Sequence, residues 1–358
     1  MYRPPRIRRP AIIAMKGIAL TFGLLSLLLA GCSGDDSPLP NYLARLSRSL
    51  DVDIAPPARE AATLPRAREL HIDLLPGSID LLDLLALRNC RLNITIGKSN
   101  SSLGKLAGDS QRLLLELEFL ALAPPCIDQL KSAGDEELVA LLQQAVSDKR
   151  EQLPARIWNA TLAGPEFRDF WKWPTTISGY PRQTGTAVPV ALQELNSLVV
   201  RWMAGEYGAG WDRLEPLLDR IRRGDGGSLL AALDVQRRYL GSAGPALRLR
   251  LTDPPLCYGG QASPESRIVD NVVRKYFVGE VQPWSVDLVQ RQQQLIEPVT
   301  RLEESLAAVT PPSYQAWMQR RDELLSSSAR IPREHAVAIG SLLEQCGLAP
   351  GQSGQAGY

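Results

Sequence analysis

The sequence predicts a mainly α protein, an irregular antiparallel α-helical bundle with disulfides. Three observations carry that expectation. Apolar residues recur at three- and four-residue steps through most of the chain, the period of an amphipathic helix. One short run alternates as a half-buried strand would, Leu247-Arg248-Leu249-Arg250-Leu251, and a single such run is thin support for a sheet. Beyond Cys32 the chain holds an even number of cysteines, Cys90, Cys126, Cys257 and Cys346, without a C-x-x-C spacing. In an oxidising compartment an even set reads as disulfides rather than as a zinc site.

Taken in order, Leu43, Leu46 and Leu50 share one face of a short helix over Tyr42–Leu50, and "APPARE" at 55–60 breaks it. Ser78–Leu92 reads as a helix, Ile94–Ala107 as a second and Ser110–Leu122 as a third. Up-down-up packing of these three brings Cys90 and Cys126 together. Of the three possible pairings the favoured one is therefore Cys90–Cys126 with Cys257–Cys346. Leu138, Leu142, Ala145, Lys149, Leu153 and Ile157 continue the helical step behind Asp135-Glu136-Glu137, whose charges suit a helix N-terminus. The pattern returns at Leu192, Leu195, Val199 and Trp202, and again at Leu214, Leu217, Leu218 and Ile221. The longest seam runs from Leu288 to Val309, with a kink expected at Pro298 and an end at Pro311-Pro312. Further helices are expected from Ser313 and over Arg333–Cys346, the latter closed by Gly347.

The N-terminus carries a different message. Residues 1–31 hold Arg3, Arg6, Arg8, Arg9 and Lys16, no acid, and an apolar run from Ile18 to Ala30. That run is shorter than the ~20 apolar residues of a membrane-spanning helix, and the layout is that of a secretory signal. Leu29-Ala30-Gly31-Cys32 resembles the bacterial lipobox, where cleavage precedes a cysteine whose thiol takes a diacylglyceryl group. Several acyl chains, palmitate among them, make a lasting anchor where one is marginal. Ser33 after the cysteine favours the outer membrane. The expected organisation is a lipoprotein signal peptide at 1–31, a lipidated tether and short helix at 32–66, a helical domain at 67–350 and a disordered tail at 351–358. "SGDDSPLP" at 33–40 is the flexible part of the tether.

The chain carries 40 basic and 39 acidic residues, and removing the signal leaves 35 against 39, a net charge of −4. No basic face invites nucleic acid. Catalytic motifs fail on inspection. Gly97-Lys98-Ser99 lacks the upstream glycine of a phosphate loop, since Leu92 stands there. Ser102-Leu103-Gly104-Lys105 has the S-x-x-K spacing of penicillin-binding proteins but not their companion elements, so a turn or cap with Lys105 in water explains it. His71 and His335 are the only histidines, neither in a ligand spacing, and His335 is expected near the surface. Glu303-Glu304 reads as a solvated helix face. "RRGDGGS" at 222–228 reads as an anion-binding helix start or a loop capped by Ser228. No catalytic, metal or cofactor residue is expected.

The richest patch is 158–182, where Trp158, Phe167, Phe170, Trp171, Trp173 and Tyr180 interleave with Arg168, Lys172 and Arg182. Such a set can line a groove for glycan or peptide, or touch lipid headgroups. The favoured reading is that the rings fill the core where two helices meet, with the arginines reaching water, since clustered aromatics are most often packing. The first reading expects Trp171→Ala to harm partner capture more than folding.

"LAGC" at 29–32, "NSSLGK" at 100–105, "FRDFW" at 167–171 and "GYPR" at 179–182 together resemble an uncharacterised family of proteobacterial lipoproteins, a domain of unknown function. The resemblance implies the anchor and an envelope address and brings no catalytic residue. The sequence thus points to a protein held on the membrane by lipid and facing the periplasm, binding an envelope protein or cell-wall material. The alternatives are an envelope-polymer hydrolase or transferase, and a small-ligand carrier with an interhelical cavity. Cys32→Ser is expected to leave an unlipidated precursor; metabolic labelling that still places fatty acid on the variant contradicts the anchor.

Overall fold

The structure, a computed structural model, describes residues 37–75, 87, 90–182 and 184–348. The signal at 1–31, the anchor at Cys32, most of the helix expected over Ser78–Leu92 and the tail at 351–358 lie outside the described residues. Among the described residues the ordered elements are helices, with no strand.

The chain enters through α1, Pro38–Leu50, whose Leu39, Tyr42, Leu43, Leu46 and Leu50 are all buried. The helix begins inside the stretch assigned to the tether, because proline is well placed in a first turn and Leu39 belongs to the core face. After an irregular segment come α2, Ala67–Leu70, α3, Leu92–Asn100, and α4, Ser102–Lys105. The single helix expected over Ile94–Ala107 breaks at Ser101, whose hydroxyl accepts the Gly104 amide at 3.0 Å and caps α4.

Helix α5, Asp109–Ala133, runs on through Pro124 and Pro125 to a left-handed Gly134. Asp135 then caps α6, Glu136–Ala160. With a two-residue turn between them, α5 and α6 form an antiparallel hairpin. Next come α7, Pro165–Phe170, α8, Ala187–Met203, α9, Leu214–Arg222, and α10, Gly226–Thr252. The last turns of α10 contain the alternating stretch 247–251, so that strand does not form. Leu247 is buried and Leu249 exposed, on a helix whose face is set by 27 residues rather than five. Helix α11, Pro264–Val272, passes through a π-helical segment, Val273–Val281, into α12, Gln282–Ser305, which continues past Pro298. A 3-10 turn, Ala307–Val309, leads to α13, Pro312–Glu344.

Helix α13 replaces the two helices expected on either side of Pro332. A proline inside a helix removes one amide donor and orphans the carbonyl four residues earlier. Here that carbonyl is Ser328, and the fully buried Gln236 of α10 donates its Nε2 to it at 2.7 Å. Gln345 donates to the Leu251 carbonyl at 3.1 Å, so residues 236 and 251 of α10 lie beside 328 and 345. Helices α10 and α13 therefore run parallel, and α12 opposes them, since Glu303 meets Arg321 while Gln292 reaches Leu325.

Both expected disulfides are present. Cys90–Cys126 spans 5.4 Å between Cα atoms, and Cys257–Cys346, at 5.2 Å, ties the C-terminal ends of the parallel pair. In chain-entropy terms loops of this size contribute about 4 kcal/mol each. His335, expected at the surface, is buried and receives the Tyr42 hydroxyl on Nε2 at 2.7 Å, joining α1 to α13. Burial pushes its pKa down to about 4, so the neutral ring is the form the fold accepts. That stability is present above the unfolded value of 6.5 and is lost as pH falls through 4.

Gln236→Leu is expected to destabilise by about 1–2 kcal/mol, because it strands the Ser328 carbonyl. Pro332→Ala restores the missing amide, so the same substitution in that background costs much less. A double-mutant denaturation cycle without coupling contradicts the assignment.

Candidate functional site

The aromatic patch is not a surface. Trp158, Phe167, Phe170 and Trp171 are 0–2% exposed, and Trp173 and Tyr180 are half-buried. Phe170 meets Trp171 edge-on at 4.6 Å between ring centroids, and Trp171 meets Trp317 of α13 at 5.0 Å. Of the interleaved cations, Arg168 donates to the Pro65 carbonyl at 3.0 Å. Lys172 and Arg182 reach water, Arg182 standing 3.9 Å from Asp287. Tyr180 donates its hydroxyl to Asp225 at 2.9 Å, and Arg291 holds the same carboxylate at 2.8 Å. The groove reading of this patch is therefore corrected to core packing. Rings of this size dominate burial energetics, and the centre of the fold takes them first.

The glycine run at 222–228 belongs to the same packing. A Cβ on Gly227 would stand 2.0 Å from the Lys172 carbonyl oxygen, and one on Gly226 would stand 2.5 Å from the Phe170 ring. The glycines let the start of α10 approach α7. The flanking residue at the N-cap is Asp225, not Ser228.

Trp158 and Asn159 nevertheless shape the surface from behind. The Trp158 indole donates to the Leu70 carbonyl at 2.7 Å. Asn159 receives the Ile72 amide at 2.9 Å and donates to the Ile72 carbonyl at 2.8 Å, pairing as a strand neighbour would. These three bonds fix 70–72 along α6. His71 then stands with Nε2 3.6 Å from Asp109 at the start of α5 and Nδ1 3.7 Å from Asp73.

His71 and Asp109 close one end of a cleft of about 1030 Å³ between α3–α4, α5 and α6. Two helical faces supply its long walls. From α5 come Asp109, Arg112, Glu116 and Phe119, and from α6 Ala145, Lys149, Gln152 and Arg156, each set stepping by three or four residues. Glu116 is the hub. Lys149 Nζ lies 2.6 Å from one of its oxygens and Arg156 3.5 Å from the other. Lys149 also faces the Phe119 ring at 4.8 Å. Burial holds the Arg156 guanidinium below its ordinary pKa, Glu116 and Asp109 oppose that, and the neighbouring Arg112 adds to it. At the rim, Ser102 and Lys105 are exposed, without the shielding an S-x-x-K nucleophile needs. Sequence reasoning missed this cleft because its signal, charged residues at i, i+3/i+4 on two helices, looks like any solvated face until the hairpin brings them opposite one another.

Among the described residues no group of three or more His, Cys, Asp or Glu is placed to hold a metal ion, and no helix is long and apolar enough to cross a membrane. Fold and cleft together define a helical scaffold that presents a large polar cleft beside a helical hairpin. The chain belongs to the family described as "Protein of unknown function (DUF3080)", whose model matches residues 39–350. No curated protein and no solved structure matches it.

Trp171→Ala is expected to destabilise the fold by about 3–5 kcal/mol, the usual range for emptying such a site. Circular dichroism during denaturation checks this, and an unchanged midpoint contradicts the core assignment.

Proposed function

We propose that this chain is a lipid-anchored envelope protein, held through acyl chains on Cys32 at the outer membrane and facing the periplasm, that binds cell-wall material in the α5–α6 cleft. The anchor and address are supported by the LAGC tetrad behind a basic, apolar start, and two disulfides accord with an oxidising compartment. The cleft carries the binding reading. At about 1030 Å³ it is at the upper end of ligand-pocket sizes, and its walls mix both signs of charge. Mixed charge suits a peptide-like ligand that itself bears amino and carboxylate groups, as the peptides of a bacterial wall do. Binding is favoured over hydrolysis by the pairing of the cleft's groups. Lys149 is engaged by Glu116, and the exposed Ser102 makes no hydrogen bond with Lys105 among the described residues.

A photo-crosslinking residue at Ser99, exposed on the cleft wall, tests this in cells. The expected result is covalent capture of cell-wall fragments identified by mass spectrometry, with none at the remote exposed Val337. Equal capture at both positions, or none at Ser99, overturns the proposal.

A further inference from the structure

The cleft's guanidinium groups have more donors than partners. An arginine offers five N–H donors in a fixed fork. Arg156, with its side chain 15% exposed, has one carboxylate oxygen at 3.5 Å and no hydrogen bond among the described residues. The carboxylate it faces is already engaged, because Glu116 gives its other oxygen to Lys149 at 2.6 Å. Arg112, one turn before Glu116 on α5, uses one nitrogen on the Lys105 carbonyl at 2.9 Å. Arg112 is exposed, and its charge opposes that of Arg156. Glu116 and Asp109 are the carboxylates that act on Arg156, and because Glu116 is shared with Lys149 the mostly buried Arg156 fork keeps N–H donors that a further anion can take.

Two further observations bear on the cleft. Toward its other end Thr95 of α3 lines it at 2% exposure, and its hydroxyl has no hydrogen-bond partner among the described residues. Helix α5 begins at this cleft from Gly108, which has no side chain to cap the first turn. The positive end of a 25-residue helix therefore adds to the field there. Asp109 in that first turn opposes it, with His71 Nε2 3.6 Å from its carboxylate.

We infer that the Arg112–Arg156 end of the cleft holds the anionic group of the ligand, a carboxylate or a phosphate. The inference rests on the cleft reading above and adds the ligand's chemistry. The anion takes the Arg156 donors that Glu116 leaves unmet, while the Glu116–Lys149 pair stays in place. From Asp109 to Phe119 the α5 wall extends about 15 Å at 1.5 Å per residue. Toward Phe119 it is lined by Ile96 and Leu115, with Thr95 as a hydroxyl among apolar neighbours. The fitting ligand has one anionic end and a less polar body, about the length of an acylated tripeptide in extended form, four units at ~3.4 Å each.

The test is calorimetry at low salt on the full chain in detergent with three probes: N-acetyl-trialanine with a free carboxylate, its C-terminal amide, and phenyl phosphate. At least one anionic probe is expected to bind, and the amide at least tenfold more weakly than the acid if the carboxylate is the group recognised. Binding of the acid alone assigns a carboxylate, and of phenyl phosphate alone a phosphate. Arg156→Gln is expected to weaken the anionic probe at least tenfold, and Glu116→Gln to tighten it severalfold by removing the internal competitor. Arg112→Gln serves as the second variant if Arg156→Gln does not retain the parent's thermal midpoint. Three outcomes overturn the inference: no binding by either anion, an amide that binds as tightly as the acid with phenyl phosphate inert, or full affinity in the arginine variants. Capture at Ser99 persists in each of these cases if the cleft reading itself is sound, so the two failures are distinguishable.

Discussion

A buried ion pair organises this fold. Arg321 of α13 and Glu303 of α12 are 1% and 4% exposed, and they meet through two hydrogen bonds, one of them at 3.0 Å. Tyr314 adds its hydroxyl to the same carboxylate at 2.7 Å, while Asp322 receives the Arg321 Nε at 2.9 Å. Burial alone would loosen the guanidinium's proton, but the Glu303 bonds and charge outweigh it and raise the pKa. The rings of Trp171 and Trp317 lie 5.7 and 5.1 Å from the guanidinium carbon. Such a pair gives little net stability over apolar residues of equal volume, yet removing one partner strands a charge at a cost of about 3–5 kcal/mol. Its effect is geometric: the end of α12, the start of α13 and the end of α7 have one arrangement that satisfies it.

From that centre the constraint passes outward to the cleft. Trp317 donates to the Ala62 carbonyl at 3.0 Å, and Tyr314 stands edge-on to Trp158 at 4.9 Å between centroids. Trp158 and Asn159 then hold 70–72, which sets His71 and Asp73 beside Asp109. The aromatic stretch thus acts on the surface without being part of it. One wall of the cleft is a segment without helical or sheet structure, held against α6 by the Trp158 and Asn159 side chains.

Much of this was legible in the sequence and some was not, for physical reasons. Helices with apolar steps of three and four, such as Leu138 to Ile157, read correctly because each buries one face. The cysteine pairing came out as expected, although the three-helix packing it was argued from did not, since Ile94–Ala107 breaks at Ser101 and Cys126 lies inside α5. Proline misled at Pro332, since its cost is one hydrogen bond and a distant residue, Gln236, supplies the substitute. Glu303 read as a solvated acid beside Glu304 because its partner lies 18 residues on, across a turn that period alone cannot fold. The aromatic run offered both a core and a binding reading, and burial of Trp158, Phe167, Phe170 and Trp171 bears out the favoured one, the core. The cleft escaped notice because Arg112, Glu116, Lys149 and Arg156 become a site only when α5 and α6 lie antiparallel.

The Ile72 amide is the most direct probe of the whole account, since its hydrogen bond runs to a side chain, Asn159, that the core must hold in place. Native-state hydrogen exchange is predicted to show this amide protected in the parent chain and markedly faster in Glu303→Gln. An Ile72 amide that exchanges in the parent as freely as in an unstructured peptide would contradict the claim that the buried centre builds the cleft wall.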